Sequence, residues 1–544
     1  MVHVLTKKCT SMKCKKCGVE ISYEAYRKNG YVCPSCGALI KMSAKERLDL
    51  LTDPGTFIEW DQNIQQRNPL DDMNYEEKLR ETARKTNIDE AVITGEVDIL
   101  SNHVAIGIMD PNFLMASMGY YVGERICRLF ERATVRKLPV VLVSCSGGAR
   151  IQEGIVSLMQ MEKTAAAVDR HHRSGLLYIS VLTNPTMGGV TASYATLGDI
   201  NIAEQGARIG FAGPRVIKQN LHIDLPDDFQ SADFNLRHGF VDIVAERKEL
   251  KELLGRLLKL HSSDSSVQLD YPEFFFTSEE EENQLSQWEA VRCARKKSRP
   301  TSLDFIHQMF DDFTELHGDR AVGDDRAIVG GIAFLQGYPI TVIGQQKGKK
   351  SLADALERNW GMPSPVGYRK VIRLAKQAEK FHRPIIFLVD TIGASCNVEA
   401  EEYGQGSVIA ELLRTCSSLT VPTLSLIIGE GNSGGALAMA STNEVWMLEN
   451  AVYSILSPEG AASIVEKDAH KAKEVANTMR MKAADMVELG VADRLFQEKG
   501  ELDLHSLSNL CSRLSEEIQR FIECYQYLTK SEIVEKRYRR FRGF

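Results

Sequence analysis

One spacing constrains this chain more than any other feature. The stretch Leu138-Pro-Val-Val-Leu-Val-Ser-Cys-Ser-Gly-Gly-Ala149 returns as Arg383-Pro-Ile-Ile-Phe-Leu-Val-Asp-Thr-Ile-Gly-Ala394. Pro139 and Pro384 stand 245 residues apart, and so do Gly148 and Gly393. Glu204 and Glu449 keep that offset, while the Gly188-Gly189 pair matches Gly434-Gly435 at 246. Composition alone does not hold three landmarks at one distance and a fourth within one residue of it, so the 544 residues contain two copies of one domain with small additions.

Each copy has the same local pattern. A continuous apolar run, Val140 to Val143 or Ile385 to Val389, reads as a strand buried on both faces and ends in a turn of small residues. An amphipathic helix follows, with Ile409, Leu412, Leu413 and Cys416 on one face in the second copy. A second buried strand, Tyr178 to Leu182 or Leu424 to Ile428, leads into the glycine pair and a short helix of small residues. Alternating strands and helices predict α/β architecture. The serines from Ser262 to Ser266 and the acidic run Glu279 to Glu282 mark a linker. The expected organisation is an N-terminal module over 1–45, a first domain over 46–262, a linker and helix over 263–300, a second domain over 301–505 and a helical tail over 506–544.

The N-terminal module is read from its cysteines. Cys14, Cys17, Cys33 and Cys36 form C-x2-C-x15-C-x2-C, with Gly18 and Gly37 directly after each second cysteine. Two such turns let four thiolates face one tetrahedral zinc, which predicts a structural zinc ribbon. Lys7, Lys8, Lys13, Lys15 and Lys16 surround it, a pattern that also fits a nucleic-acid-binding module, a solvated face or a lid over an active site.

Charge and hydropathy exclude other classes. Sixty-six basic against 73 acidic residues give a net charge of -7, which argues against a chain-wide nucleic-acid footprint. The longest apolar runs are strand-sized, and no apolar stretch follows the N-terminal lysines, so the expected compartment is the cytoplasm.

The glycine clusters carry the chemistry. Gly429-Glu-Gly431-Asn-Ser-Gly434 matches a dinucleotide fingerprint, with Glu449 as a ribose carboxylate. Gly431-Asn-Ser433-Gly-Gly435 also matches a hydrolase nucleophile elbow, with His470 and His505 downstream. The first copy argues against both, because Thr183-Asn-Pro-Thr-Met-Gly-Gly189 has neither pattern. Both copies keep a Gly-Ala turn (Gly148-Ala149; Gly393-Ala394) and a glycine pair at a strand-to-helix junction. Such residues offer backbone N–H groups at the positive end of a helix, so two turns converging on one point make an oxyanion hole. One hole per copy implies chemistry with two oxyanions and no obligatory side-chain base. His171-His172 reads as a solvated turn, and Asp390, Glu399, Glu401 and Glu402 as the start of a solvated helix.

With these residues in view, residues about 12 to 260 resemble the β subunit of bacterial acetyl-coenzyme A carboxylase carboxyltransferase. The resemblance rests on the ribbon, Ser144-Cys-Ser-Gly-Gly-Ala-Arg150, Leu197-Gly-Asp-Ile-Asn-Ile-Ala-Glu204 and Ile209-Gly-Phe-Ala-Gly-Pro-Arg215. Residues about 280 to 500 resemble the α subunit through Glu315-Leu-His-Gly-Asp-Arg320, Gly361-Met-Pro-Ser-Pro-Val-Gly-Tyr-Arg369, Gly429-Glu-Gly-Asn-Ser-Gly-Gly435 and Leu456-Ser-Pro-Glu-Gly460. The resemblance implies two crotonase-like ββα superhelices in tandem, as in a β–α fusion. It implies transfer of a carboxyl group from carboxybiotin, delivered on a carrier protein, to acetyl-CoA, giving malonyl-CoA for fatty acid synthesis. It implies that Gly147, Gly148, Ala149, Gly188 and Gly189 hold the thioester, with Arg150 and Arg215 beside the CoA. Gly393, Ala394, Gly434 and Gly435, with Ser433, would hold biotin. Biotin carboxyl carrier protein and biotin carboxylase are the implied partners, and a homodimer would stand in for an α2β2 assembly. The family's Asp-Thr-Pro-Gly-Ala-Tyr-Pro-Gly run here reads Asp390-Thr-Ile-Gly-Ala-Ser-Cys-Asn397, and Asn432 replaces a glycine. Transfer to another acyl-CoA such as propionyl-CoA, a crotonase-type hydratase or thioesterase, and a hydrolase using Ser433 are the competing readings.

Overall fold

The computed structural model describes residues 11–61, 64, 68–70, 72–214, 224–261, 285–348, 351–498 and 500–543. The chain divides into two compact units, Met1–His261 and Ser262–Phe544. Arg215 and residues 263–284 of the expected linker lie outside the described residues, as do Lys7 and Lys8.

The first unit opens with a small hairpin of β1 (Ser11–Lys13) and β2 (Glu20–Ser22), followed by a helix over Tyr23–Lys28. Ile21, Tyr26, Tyr31 and Met42 form its core together with Cys14 and Cys33. So small a core does not hold a fold by itself, and the four clustered cysteines are where a metal could add to it. The helix Ala44–Leu51 is fixed by a capping box between Ser43 and Glu46.

The main sheet of this unit has eight strands. They are β3 (Ile58–Glu59), β4 (Val92–Ile99), β5 (Asn102–Met109), β6 (Val140–Ser146), β7 (Tyr178–Met187), β8 (Ile200–Glu204), β9 (Ile209–Gly210) and β10 (Ile243–Ala245). Their order is β10-β8-β7-β6-β5-β4-β3, with β9 added beside the end of β7. The hairpin β4–β5 is antiparallel, and β5 through β8 run parallel. Helices Tyr120–Arg136 and Ile155–Arg173 pack together as the crossover layer. Their apolar positions meet the residues of β6, every one of which is buried, as expected for a strand covered on both faces.

The second unit repeats this plan strand for strand. Its strands are β11 (Asp311–Glu315), β12 (Ile328–Leu335), β13 (Tyr338–Gln345), β14 (Ile385–Thr391), β15 (Thr423–Asn432), β16 (Glu444–Leu448), β17 (Val452–Ser454) and β18 (Arg494–Phe496). They lie in the order β11-β12-β13-β14-β15-β16-β18, with β17 beside β15. The helix Gln287–Ala294, expected in the linker region, packs into this unit through Ala290, Val291 and Ala294 against Val452 and Met481. The tail forms two helices, Leu507–Gln526 and Lys530–Arg542. Arg537, 1% exposed, donates to the carbonyls of Cys416, Leu419 and Val421 and to Asn443 Oδ1, so it caps the C-terminal end of helix Gln405–Ser418.

The repeat extends to irregularities. The β6–β7 register shifts between Ser144 and Ser146, and the β14–β15 register shifts between Val389 and Thr391, one repeat on. Bulges of this kind end regular pairing and re-aim the chain at the sheet's rim. A left-handed residue in a short 3-10 turn also recurs, Met115 at φ 54° and Trp360 at φ 52°.

Candidate active site

At the rim of each sheet the chain makes two adjacent turns. In the first unit β6 ends in Gly147-Gly148-Ala149, where Gly148 has φ +116°. β7 is followed by Gly188, which has φ +61° and begins a short helix. The two turns touch: a side chain built on Gly188 would stand 3.0 Å from Gly148 Cα, and one on Gly148 would stand 3.8 Å from Gly189 N. Both residues have left-handed backbone that glycine adopts without strain, and the missing side chain at Gly188 leaves the two turns in close contact. The N–H groups of Ala149 and Gly189 have no acceptor among the described residues, because they lie past the sheet ladder and in the first turn of a helix. Unsatisfied donors at a helix N-terminus favour a developing negative charge.

The second unit holds the equivalent pair. Gly393 has φ +148°, and its would-be side chain meets Ser433 Cβ at 3.8 Å. Helix Ser433–Ala440 begins at Ser433, which has φ +67°. The observed registers therefore align Gly188 with Ser433 and Gly189 with Gly434, at the common offset of 245, instead of pairing glycine doublet with glycine doublet. Gly435 has a different task. A Cβ there would lie 2.5 Å from Ala394 N and 2.9 Å from Gly393 C, so its lack of a side chain lets the helix seat the turn.

A hydroxyl pair missed by the sequence reading shapes both turns. Ser146 Oγ accepts the Gly148 N–H at 3.0 Å, and Thr391 Oγ1 accepts the Gly393 N–H at 3.1 Å. The recurring signal was a hydroxyl residue two positions before the turn glycine.

Other expected residues separate. Arg150 is 1% exposed, and its guanidinium meets Glu90 through both Nη1 (2.6 Å) and Nη2 (2.8 Å), with the Tyr75 hydroxyl at 3.1 Å. A guanidinium closed off in this way does not face a CoA phosphate, which corrects the sequence expectation. His171 is buried, with its ring beside Thr134 Oγ1 and the Leu177 carbonyl, and is not a solvated turn. Ser433 has no hydrogen-bonded histidine among the described residues. His470 and His505 are exposed, their backbone N–H groups held by Asp468 and Asp503.

Charges distinguish the second turn from the first. Lys347 Nζ lies 2.7 Å from Asp390 Oδ1 and 2.9 Å from Glu430 Oε2, and Glu430 also receives Arg295 Nε at 2.8 Å. Burial opposes the Lys347 charge, but the two carboxylates outweigh it and push its pKa above the ordinary value. Asn432, in place of glycine, is fixed by Ser454, whose hydroxyl donates to Asn432 Oδ1 at 2.6 Å. Asn397 caps the short helix Val398–Glu402 by accepting the Ala400 N–H. Glu399, Glu401 and Glu402 are exposed along that helix.

In the ribbon, Cys14 Sγ is 3.6 Å from Cys36 Sγ, Cys17 Sγ is 3.7 Å from Cys33 Sγ, and all four sulfurs lie within 4.8 Å of one another. Sulfurs bound at 2.3 Å around a tetrahedral zinc stand about 3.8 Å apart, so the donor set fits. The backbone N–H groups of Cys17 and Lys16 draw the Cys14 thiol down to about 6. At Cys36 the Ala38 N–H is outweighed by burial and the neighbouring thiols, which push the thiol up to about 12, so on their own the four sulfurs share their charge unevenly. The ribbon is anchored within the first unit by Glu204, which binds Arg47 at 2.6 Å and Arg247 at 2.7 and 2.9 Å. Arg247 also donates to the ribbon carbonyls of Tyr31 and Ile40. Beyond them, Lys41 Nζ reaches Met115 Sδ at 3.0 Å, and the Met115 carbonyl accepts the Gly147 N–H at the first turn.

Residues 248–544 match the family described as acetyl co-enzyme A carboxylase carboxyltransferase-like. A protein of Natranaerobius thermophilus named acetyl-coenzyme A carboxylase carboxyl transferase subunits beta/alpha is 47% identical, covering 98% of this chain and 90% of its own length. The chain belongs to the acetyl-coenzyme A carboxylase carboxyltransferase family. A relative of the same name from Clostridium tetani is 46% identical over 98% of this chain and 93% of its own length. The carboxyl transferase subunit alpha of Clostridium acetobutylicum is 50% identical over 48% of this chain and 96% of itself. The family thus appears here in its fused β–α form, with the α-like half second. Among solved structures, transcarboxylase 12S with methylmalonyl-coenzyme A and methylmalonic acid bound has a TM-score of 0.71 at 22% identity, covering 89% of this chain and 90% of that one. That likeness establishes the crotonase-like fold of both units. No helix among the described residues is long and apolar enough to cross a membrane.

Proposed function

We propose that this carboxyltransferase moves a carboxyl group from carboxybiotin on a carrier protein to acetyl-CoA, forming malonyl-CoA. The observation that carries the reading is the duplicated pair of converging turns, each presenting free N–H groups at a helix N-terminus. Bound carboxybiotin would supply the carboxyl group. In the first unit, Ala149 and Gly189 are the donors for charge developing on the thioester oxygen when the methyl group loses its proton. In the second, Ala394 and Gly434 are the donors for the ureido oxygen of biotin. Gly147, Gly148 and Gly188 shape the first hole, and Gly393, Ser433 and Gly435 shape the second. The absence of a histidine beside Ser433 among the described residues supports this reading over a serine hydrolase.

Acetyl-CoA is the substrate named for the fused relatives, and it is favoured over propionyl-CoA on that similarity. Biotin carboxylase and a biotin carboxyl carrier protein complete the reaction, Cys14, Cys17, Cys33 and Cys36 hold a structural zinc, and the enzyme works in the cytoplasm. Exposed apolar residues beside each turn support a homodimer, with Ile151 (87% exposed) and Phe211 on the first unit and Val398 and Ile455 (81%) on the second.

The test runs the reaction backwards. Purified chain is mixed with malonyl-CoA and free biotin, and acetyl-CoA is measured. Biotin-dependent acetyl-CoA, with malonyl-CoA consumed faster than methylmalonyl-CoA, is the expected result, and a chain that releases none overturns the proposal. Light scattering in the same buffer should give twice the mass of one chain.

A further inference from the structure

Two side chains at and just past the end of β13 are bonded to the elements that carry the second turn. Gln345 is buried and uses both ends of its carboxamide. Its Oε1 accepts the N–H of Asp390, three residues before Gly393, at 3.2 Å, and its Nε2 donates to the Gly435 carbonyl at 3.0 Å. The Tyr368 hydroxyl donates to the same carbonyl at 3.0 Å. One amide thus ties the strand that enters the Gly393-Ala394 turn to the helix that begins at Ser433.

Lys347, two residues on, ties that strand to its neighbour. Its Nζ lies between Asp390 Oδ1 and Glu430 Oε2, and Asp390 Oδ1 also accepts the Glu430 N–H at 2.9 Å, where the β14–β15 register shifts. Arg295 completes the cluster by bridging Glu430 to Glu459. Two glycines outside the turn make room for it. A Cβ on Gly429 would stand 2.3 Å from Asp390 Oδ1, and one on Gly361 would stand 2.7 Å from Lys347 Cγ.

The first unit builds the same place differently. The hairpin registers make Met109 the counterpart of Gln345 and Pro111 that of Lys347. The parallel strands make Cys145 the counterpart of Asp390 and Pro185 that of Glu430. Four polar side chains in one repeat answer four residues that offer neither charge nor amide in the other, so the cluster serves a need the first turn does not have.

We propose that Gln345 and Lys347 are positioning residues for the second hole. Gln345 sets the angle between the Ala394 and Gly434 N–H groups, and Lys347 neutralises the carboxylates on the two strands that lead into them. Without the ammonium, Asp390 and Glu430 would oppose a negative charge growing in the hole. The ureido group of biotin is neutral when it binds and gains that charge only in the transition state, so losing Lys347 acts on turnover and not on binding. The inference rests on the functional reading above and extends it to residues outside the turns.

The experiment uses the full chain in the malonyl-CoA decarboxylation assay with free biotin. Lys347→Met should lower kcat about 30-fold at pH 8 and leave KM for biotin and for malonyl-CoA within about twofold. That defect should shrink as pH falls to 6, because a proton shared by Asp390 and Glu430 takes the place of the ammonium. Lost packing alone would give the same defect at every pH. Gln345→Met installs the residue of the first unit and should lower kcat about tenfold at both pH values. It removes no charge, so it decides the matter if Lys347→Met does not fold. Wild-type kcat in Gln345→Met, a Lys347→Met defect equal at pH 6 and 8, or an effect confined to KM for biotin overturns the inference while the functional reading stands. Wild-type protein that shows no biotin-dependent decarboxylation overturns both.

Discussion

Ser146 and Thr391 hold the same bond one repeat apart. Each hydroxyl oxygen accepts the N–H of the glycine two residues on, while its proton goes to a carbonyl at 2.6 Å, that of Ala116 for Ser146 and of Gly393 for Thr391. The bond takes the glycine N–H out of the hole and sets the angle at which the next N–H points into it.

Removing either hydroxyl should therefore misaim a hole without unfolding the protein. Ser146→Ala and Thr391→Val should each slow malonyl-CoA decarboxylation about 100-fold, with thermal stability lower by about 1 kcal/mol. Thr391→Ser should retain most of the rate. Wild-type turnover in both deletion variants would show that the turns do not need the cradle.

Gly435→Ala tests the seating of the second turn. The added methyl would stand 2.5 Å from Ala394 N, closer than real Cβ contacts allow, so the helix start and the turn must part. Turnover should fall by about 100-fold, while binding of malonyl-CoA in titration calorimetry stays as in wild type. A rate within twofold of wild type would mean that the second turn does not act in the reaction.

The ribbon anchor predicts a pH window. Burial works against the Glu204 charge, but Arg47 and Arg247 overcome it and hold the carboxyl near 2, below its ordinary 4.5. A depressed carboxyl stabilises the fold fully above about pH 4.5, and that contribution fades as pH falls toward 2. Ribbon docking should then be constant from pH 5 to 8, and tyrosine fluorescence from Tyr26 and Tyr31 should change only in acid. Glu204→Gln leaves two guanidiniums buried against a neutral amide and should destabilise the first unit by about 3–5 kcal/mol in urea unfolding. A shift in the neutral range would contradict the pairing.

Metal removal should act locally. Chelation, or Cys33→Ser, should release one zinc per chain and unfold residues 11–42 while both eight-stranded sheets persist by far-UV circular dichroism. Because Lys41 reaches Met115, whose carbonyl holds Gly147, decarboxylation should fall along with the metal content. Full activity in zinc-free protein would separate the ribbon from the first turn.

Much of this was readable from the sequence, because a repeat writes its landmarks twice. The buried strands, the Gly-Ala turns and the four cysteines are all local patterns, and each lies where its pattern placed it. Matching glycine to glycine misaligned the second turn by one residue. The true register is fixed by the bulges at Ser146 and Thr391, and Ser433 adopts the left-handed conformation that Gly188 supplies in the first unit. Arg150 was misread for a different reason. It adjoins the first turn in sequence, but Glu90, which neutralises it, comes from another part of the chain, and nothing local announces that pairing.

Arg537 sets an order of events. The helix that begins at Gln405 is capped at its far end by a guanidinium from helix Lys530–Arg542, so its final carbonyls depend on water until translation has passed residue 537. The first unit can close as soon as its own strands have emerged, whereas the second stays open at one seam until residue 537 has been made. A transcript cut short before that codon would yield a first unit that is finished and a second that is marked, by exposed carbonyls and an undocked helix, for the proteases that clear incomplete chains.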